Sequence, residues 1–396
     1  MWFSIGVVYL AAISLADFTI FNYLGFNPRV SDVEFSVISG LWSVVFILSN
    51  ELLGRLADRG DHRGLAIISA ISISVALLLF GLSHGSVLII GLAYLVHAVS
   101  SASANLALST SIVELTPGHS WSLRSAEQRV GLQLIRGLSL LVIAILTPLI
   151  GEYGPIIAAL AAATALGLAF VSSLPPSVTL LERRLQRVFT SLSGLGLYNA
   201  SVAALIGGRY GIIYEASSVT RKARASPVTI AASAALAAFV GDYYLTALPL
   251  YLRSESVTFS QYAMAFGVAG LAAAALMVLA EAYSASAAMV ATLIVTRGLW
   301  MAFALYLVKG LAALALYVVV SLVLFASIEL TLYKLFLSYG LGYNVHTYAV
   351  LKELGSMMGS FLGGPALLAG PYAFWGLPLA ATAAAAGLLM AATRYF

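Results

Sequence analysis

The sequence has no cysteine and very little charge. The absence of cysteine from the 396 residues excludes disulfides, thiolate metal ligands and cysteine nucleophiles. Only 9% of the residues are charged, whereas a soluble globular domain carries roughly 25%. So few charges cannot cover the water-exposed surface of a chain of this length. The solvent around most of the chain must therefore be lipid.

The sequence is instead rich in long apolar segments, with 61% hydrophobic residues and a mean hydropathy of +0.99. A helix needs roughly 20 mainly apolar residues to cross a hydrocarbon core of about 30 Å. The pattern predicts an all-α integral membrane protein with twelve transmembrane helices. The predicted spans are 2–24, 34–53, 64–83, 87–110, 129–149, 154–174, 228–250, 260–280, 285–307, 311–333, 346–369 and 372–392.

The distribution of Lys and Arg predicts the orientation in the membrane. With the N-terminus inside, fourteen of these residues fall on the cytoplasmic side and three in the outer loops. Cytoplasmic loops are enriched in Lys and Arg. We therefore expect a multi-pass protein of the cell membrane with both termini in the cytoplasm. The net charge of +4 is explained by these loops, and no nucleic-acid partner is expected.

The stretch 175–227 is the only long connection between predicted spans. Within it, 192–213 is apolar enough to be a thirteenth span. Basic residues flank that segment on both sides, however, so the chain should return to the same face of the membrane. We interpret 175–227 as a cytoplasmic linker with an interfacial helix. It would join an N-terminal six-helix bundle, 1–174, to a C-terminal one, 228–396.

A short internal repeat supports the division into two halves. Asp17 in the first span is followed by an aromatic residue, and Ser36, after a phenylalanine, begins the second span. Asp242 and Ser260 repeat this arrangement in spans seven and eight, with an interval that differs by one residue. Internal repeats are a common construction in transporters.

The loop between spans two and three carries the most specific motif, 54–63, which reads GRLADRGDHR. It resembles the loop 2–3 signature of the major facilitator superfamily, G-x-L-A-D-R-x-G-R-R/K. Asp61 replaces the later glycine and His62 the arginine after it. The matching residues are Gly54, Leu56, Ala57, Asp58, Arg59 and Arg63. Glycine at the first of these positions would permit close approach of helices.

The charges of this motif are typical of a cytoplasmic gate. Asp58 can sit at a helix N-terminus, where the helix dipole favours a carboxylate. Arg59 and Arg63 can form fork-like pairs with a carboxylate, and Glu114 at the end of span four is a candidate partner. Glu114 and the later Arg124 also resemble the acidic-x-x-Pro…Arg pattern of the same family. The resemblance implies a charge cluster that breaks and reforms.

At the level of topology the resemblance covers the whole chain. It implies two six-helix bundles around a central cavity, with spans one, four, seven and ten lining it. It also implies transport by alternating access, with no cofactor, no metal and no enzymatic activity. We expect a monomer. The resemblance implies no particular substrate.

Ionisable residues inside spans cost roughly 2.5–3.5 kcal/mol each on insertion scales, so each is a candidate for function. Asp17 and Asp242 occupy matching places in related helices, where a carboxylate surrounded by little water could take up a proton or bind a cation. The alternative is a hydrated or helix-capping carboxylate. His97 in span four could shuttle a proton or could be a hydrogen-bonded packing residue.

The remaining charged candidates inside spans lie in spans five, nine, ten and eleven. We expect Arg297 in span nine to pair with Glu329 in span ten, although Arg297 could instead face an anionic substrate. Arg136, Lys352 and Glu353 lie closer to the cytoplasmic surface, where snorkelling or gate salt bridges would explain them.

The sequence therefore predicts a secondary active transporter of a small solute, coupled to protons. The scarcity of Asn and Gln hints at a thermophilic source. Two other functions remain open, a membrane-embedded lipid-handling protein or enzyme and a sensor on a transporter fold. The candidate substrate and proton-coupling residues are Asp17, His97, Asp242, Arg297 and Glu329.

Overall fold

The computed structural model describes residues 1–116, 121–175, 227–255, 257–280, 286–305, 308, 310–340 and 345–393. Within these residues the chain forms twelve α-helices. They are α1 (Trp2–Phe26), α2 (Asp32–Asp58), α3 (His62–Gly81), α4 (Val87–Leu115), α5 (Trp121–Ile150), α6 (Tyr153–Ser173), α7 (Pro227–Ser254), α8 (Phe259–Ala280), α9 (Ala287–Ala304), α10 (Leu311–Gly340), α11 (Val345–Leu368) and α12 (Pro371–Thr393).

The twelve helices confirm the predicted all-α architecture, and each predicted span overlaps one helix. Among the described residues, ten helices are long and apolar enough to cross a membrane, and α9 holds a shorter apolar stretch, Ala287–Phe303. The helix α11, which carries Lys352 and Glu353, is not among the ten. In lipid, helices satisfy all their backbone hydrogen bonds internally, which explains why the apolar runs adopt this structure.

The helix contacts repeat between the first six helices and the last six. In the first half α1 packs against α4, α5 and α6, and α3 packs against α4 and α6. In the second half α7 packs against α10, α11 and α12, and α9 packs against α10 and α12. Two equivalent contacts, α2 with α11 and α5 with α8, join the halves. The predicted linker, 175–227, lies almost wholly outside the described residues, so its boundaries stay a prediction.

A ridge of glycines brings α11 against the backbone of α7. A Cβ atom added at Gly355 or Gly359 would collide with the carbonyl oxygens of Ala235 and Phe239, respectively. One added at Gly363 would lie 2.6 Å from the carbonyl oxygen of Tyr243. Lipid gives helices no hydrophobic drive to associate, so close packing through small residues holds such interfaces together.

Glycines also bring the two halves together at the contact between α5 and α8. A Cβ atom added at Gly137 would lie 2.9 Å from the carbonyl oxygen of Gly267 and 3.0 Å from the backbone nitrogen of Leu271. One added at Gly270 would lie 3.2 Å from the Cα atom of Gly137. The backbones of α5 and α8 therefore touch directly.

Replacement of Gly359 by alanine should destabilise the packing of α7 against α11. The added methyl group meets backbone atoms of Phe239 and Tyr243, which cannot rotate away as a side chain could. We expect a loss of about 1–3 kcal/mol, measured as a lower Tm of the purified protein in detergent. Gly387→Ala in α12 is the control, because its added Cβ would meet open space. An equal Tm for the two variants would contradict this account of the interface.

Candidate functional site

A cluster of aromatic rings closes one end of the space between the halves. Phe18 of α1 stacks on Tyr262 of α8 with ring centroids 5.7 Å apart, and it lies 5.2 Å from the ring of Phe266. Phe26 contacts Tyr262 at 5.4 Å, and Phe259 lies 6.4 Å from Phe18. We call this the closed end. It is the end where the α1–α2 and α7–α8 connections lie.

An arginine from the second half secures the closed end. Arg253 near the end of α7 donates to Asp32 at the start of α2, with an Nη2–Oδ1 distance of 2.8 Å. Its Nη1 donates to the carbonyl oxygens of Asn27 and Val30 at 3.0 and 3.1 Å. One guanidinium thus holds three acceptors of the opposite half. These hydrogen bonds must break if the end is to open.

The two serines of the sequence repeat form equivalent contacts between the halves. Ser36 of α2 accepts a hydrogen bond from the backbone nitrogen of Gly364 in α11 at 2.9 Å. Ser260 of α8 donates to the carbonyl oxygen of Ala144 in α5 at 2.6 Å. The repeat therefore marks positions where the two halves meet.

A central cavity with two lobes lies between the halves. The first lobe has a volume of about 150 Å³, and its lining includes Asn22, Ser39, Trp42, Tyr94, Tyr262 and Ser356. The second lobe has a volume of about 280 Å³, and its lining includes Gln133, Arg297, Met301, Tyr317, Ser321 and Phe325. Five residues line both lobes, namely Asp17, Arg136, Asp242, Leu245 and Phe266.

Asp17 and Asp242, predicted from the repeat, thus lie on the wall of one cavity. The side chain of Asp17 is 32% exposed, and its Oδ1 is buried without a hydrogen-bond partner. Asp242 accepts a hydrogen bond from the hydroxyl of Ser356 in α11. The two carboxylates differ in their contacts, since Asp242 is hydrogen-bonded to Ser356. Asp17 instead lies beside the hydroxyl of Tyr94 and keeps Oδ1 without a partner.

His97 lies beside Asp17 but outside the cavity lining. It is fully buried, and its Nε2 lies 3.0 Å from the carbonyl oxygen of Ile13. The indole nitrogen of Trp42 donates to its Nδ1 at 3.4 Å. A carbonyl only accepts and an indole N–H only donates, so the two partners together require a neutral imidazole with its proton on Nε2. The Nδ1 atom lies 4.0 Å from Oδ1 of Asp17, and this arrangement favours the packing interpretation of His97.

The predicted pair between Arg297 and Glu329 is wrong. Glu329 forms a salt bridge with Lys352 of α11. Arg297, 5% exposed, donates from Nη1 to the carbonyl oxygen of Ala237 at 3.2 Å and lies over the ring of Phe325 at 4.9 Å. Glu329 and Lys352 share a small pocket with Arg297, which donates to a backbone carbonyl instead. Arg297 lines both this pocket and the second lobe.

Arg136 lies elsewhere than the predicted position near the cytoplasmic surface. It lines both lobes, and its guanidinium carbon lies 5.7 Å from the ring centroid of Phe18. Its Nε is buried without a hydrogen-bond partner. Snorkelling therefore does not explain it. Only its place in the sequence, well inside a predicted span, could have indicated that it lines the cavity.

The loop 54–63 has a different local structure from the one expected. Asp58 is the last residue of α2, and Asp61 caps α3 by accepting from the backbone nitrogen of Gly64 at 2.9 Å. Asp61, which replaces the later glycine of the family pattern, thus supplies the N-cap of α3. The expected close helix approach at Gly54 is wrong in this structure, because a Cβ atom there would meet open space.

The other motif residues lie at the same end. Arg59 and Arg63 are exposed and Glu114 is half-buried, and their pairing stays a prediction. Arg124 donates to Glu127 at 2.7 Å and lies over the ring of Phe3 of α1.

His62, which stands where the family pattern has arginine, is 2% exposed. Its ring nitrogens lie 3.0 Å from the carbonyl oxygen of Gly60 and 3.2 Å from that of Pro175. It therefore joins the loop to the chain just after α6. Among the described residues, no group of three or more His, Asp or Glu side chains is arranged to hold a metal ion.

Comparison with known proteins finds similarity in structure only. No protein-family model and no curated protein matches the chain. The xylose transporter XylE from E. coli, in a partially occluded inward-open conformation, matches with a TM-score of 0.67 and 13% identity over 99% of this chain and 98% of that one.

Two further solved structures match along nearly the whole chain. Tetrameric PepTSo2 matches with a TM-score of 0.62 and 12% identity, over 99% of this chain and 96% of that one. A POT family transporter in complex with 5-aminolevulinic acid gives 0.61 and 11%, over 98% and 94%. Such low identities establish the fold alone. The twelve helices, their repeated contacts and these likenesses show that the chain has the fold of the major facilitator superfamily.

Proposed function

We propose that this protein is a secondary active transporter that moves a small solute by alternating access, coupled to protons. One observation carries the proposal. Asp17 and Asp242, from equivalent helices of the two halves, line a single cavity that is closed at one end by contacts between the halves. The structurally similar proteins are transporters, of xylose in one case.

The contacts between the halves suit a rocking motion. At the closed end they consist of the Arg253 hydrogen bonds and the aromatic cluster around Phe18. Both kinds of contact can separate without unfolding a helix. Within each half, by contrast, helices such as α7 and α11 touch through their backbones. At the closed end the halves can therefore separate as units, while α5 and α8, whose backbones touch across the halves, stay together.

Protons are the proposed coupling ion because a carboxylate on this wall changes the charge of the cavity when it is protonated. A charge inside the membrane is costly. Protonation of Asp17 would change the net charge of the cavity by one, and its Oδ1 has no hydrogen-bond partner. The cavity can then carry a different charge when it changes access with the solute bound and when it changes access empty.

Orientation, location and assembly complete the proposal. We place the closed end outside and the motif at 54–63 in the cytoplasm of a cell-membrane protein with both termini inside, because of the Lys and Arg asymmetry. A monomer remains our expectation, although one similar structure is a tetramer.

Neutral substitutions of the two carboxylates should abolish proton coupling. In proteoliposomes with an imposed pH gradient, wild type should show solute-dependent proton flux with at least one member of a panel of sugars, amino acids and organic acids. Asp17→Asn should lower that flux at least tenfold, because the fixed neutral side chain cannot exchange a proton, and Asp242→Asn should lower it as well, because it changes the charge of the same cavity. Glu152→Gln is the control, because Glu152 is an exposed acid outside the cavity.

The two arms of this experiment test different statements. Wild-type proton flux in both aspartate variants would contradict the coupling role. The absence of any solute flux across the panel would contradict transport itself and would favour a sensor or a lipid-handling protein.

Loss of the Arg253 hydrogen bonds should open the closed end. Hydrogen bonds to charged groups are worth about 1.5–3 kcal/mol, so Arg253→Gln should shift the equilibrium between end states at least tenfold. The chain has no cysteine, so spin labels on Leu88→Cys and Tyr372→Cys, both highly exposed at this end, report the separation of the halves. Arg29→Gln, an exposed neighbour, is the control. Identical distance distributions for wild type and Arg253→Gln would contradict the latch.

The proposed orientation can be tested with single cysteines. Tyr372→Cys at the closed end should react with a membrane-impermeant maleimide on intact cells. Ser172→Cys, exposed near the end of α6, should react only after permeabilisation. The reverse pattern would place the closed end in the cytoplasm.

A further inference from the structure

Two arginines that each keep an unpaired hydrogen-bond donor line the second lobe of the cavity. The Nε atoms of Arg297 and Arg136 and the hydroxyl of Ser321 are all buried without a hydrogen-bond partner, and all three residues line this lobe. Arg297 and Ser321 are 5% and 9% exposed. Buried polar groups are nearly always paired in folded proteins. Donors left unpaired on a cavity wall therefore indicate a ligand that accepts from them.

The chemistry of these donors matches a carboxylate. Arginine presents its N–H groups in a planar fork that fits the two oxygens of a carboxylate. Arg297 is also held in place, because its Nη1 bonds the carbonyl of Ala237 and its guanidinium lies over Phe325. The guanidinium is therefore oriented before a ligand arrives, so less entropy is lost on binding.

The rest of the lobe is apolar. Its wall includes Leu140, Leu248, Met301, Val318 and Leu322. The volume of about 280 Å³ lies just below the roughly 300–1,000 Å³ typical of pockets for drug-sized ligands. The lobe therefore fits a small molecule with one acidic end and an apolar body.

The charges around the cavity require that a bound carboxylate be compensated. The acidic and basic residues that line the two lobes are Asp17, Asp242, Arg136 and Arg297, so the cavity is formally neutral. An entering carboxylate would leave one negative charge without compensation, and such a charge is costly inside a membrane. Uptake of one proton by the free Oδ1 of Asp17 restores neutrality.

We propose that the second lobe binds a small organic acid with a single carboxylate and an apolar body, and that one proton binds to Asp17 with each anion. The carboxylate lies between Arg297 and Arg136 and also accepts from Ser321. On release, the carboxylate returns to water and Asp17 gives up its proton. The proton part of this inference rests on the proposed transport function, whereas the binding of the acid does not.

Matched ligands test the carboxylate by thermal shift and calorimetry on the purified protein. The probes are 4-methylpentanoate and 3-phenylpropanoate, their primary amides, and the amino acids leucine and phenylalanine, which add only an ammonium group to the same skeletons. A bound ligand raises Tm by mass action. We expect at least one acid to bind at least tenfold more tightly than its amide and its amino acid. Equal or tighter binding of the amide or amino acid would overturn the inference, as would no binding of either acid.

Variants test the site of binding. Arg297→Gln should weaken binding of the acid at least tenfold, and Arg297→Lys should weaken it as well, because lysine keeps the charge but lacks the planar fork. Ser321→Ala is a milder change that preserves folding and should weaken binding severalfold. Arg29→Gln, an exposed arginine outside the cavity, is the control. Unchanged affinity in both Arg297→Gln and Ser321→Ala would overturn the assignment.

Proton uptake on binding separates the two proposals. Calorimetry in buffers of different ionisation enthalpy should show about one proton taken up per acid bound by wild type. Asp17→Asn should bind the acid without this uptake, whereas uptake that persists in the variant would overturn the role of Asp17. Binding needs no pH gradient, so tight and selective binding of the acid without gradient-driven flux would contradict only the transport function.

Discussion

The cost of placing charge inside a membrane governs the design of this protein. Each ionisable side chain in a span must be paired, hydrated or functional. Glu329 and Lys352 are paired, because they form a salt bridge to each other. Asp17, Arg136 and Arg297 keep unpaired polar atoms, and all three line the central cavity. Three residues with an unpaired buried polar atom thus line one cavity, which makes the cavity the most informative part of the molecule.

The packing around the cavity depends on small residues because lipid supplies no hydrophobic force between helices. Gly355, Gly359 and Gly363 place α11 against the backbone of α7 within the second half. Gly137 and Gly270 place α5 against α8 across the two halves. The first contact makes one half rigid. The second brings backbones together along a line that a rocking motion can use as a pivot, since no long side chain has to change its rotamer there.

Most of the fold could be predicted from the sequence, and the reasons are physical. Apolar runs of spanning length have only one stable structure in lipid, so each of the twelve predicted spans overlaps a helix. Asp17 and Asp242 could be found because the repeat places them in equivalent helices. Arg136 was misplaced, since depth along a span does not tell which side of the helix faces the cavity.

The pairing of Glu329 could not be predicted for a related reason. Arg297 and Lys352 lie on different helices, α9 and α11, and both offer a cation to α10. The choice depends on where the side chains lie after packing: Arg297 lines the same small pocket as Glu329 and Lys352, but Lys352 forms the salt bridge. The same packing leaves the Nε of Arg297 without a partner. A wrong prediction of a salt bridge therefore identifies the arginine that is available to a ligand.

The closed end and the central cavity use arginine in different ways. At the closed end, one guanidinium of Arg253 binds a carboxylate and two carbonyls of the other half, so these three hydrogen bonds hold the halves together. In the cavity, Arg297 bonds only within its own half, to Ala237, and keeps donors for another partner. A ligand that engages Arg297 and the Arg136 of the opposite half would join the halves from within. Binding in the cavity and the latch at the closed end would then act on the same relative motion, which is the physical requirement for coupling a solute to a change of access.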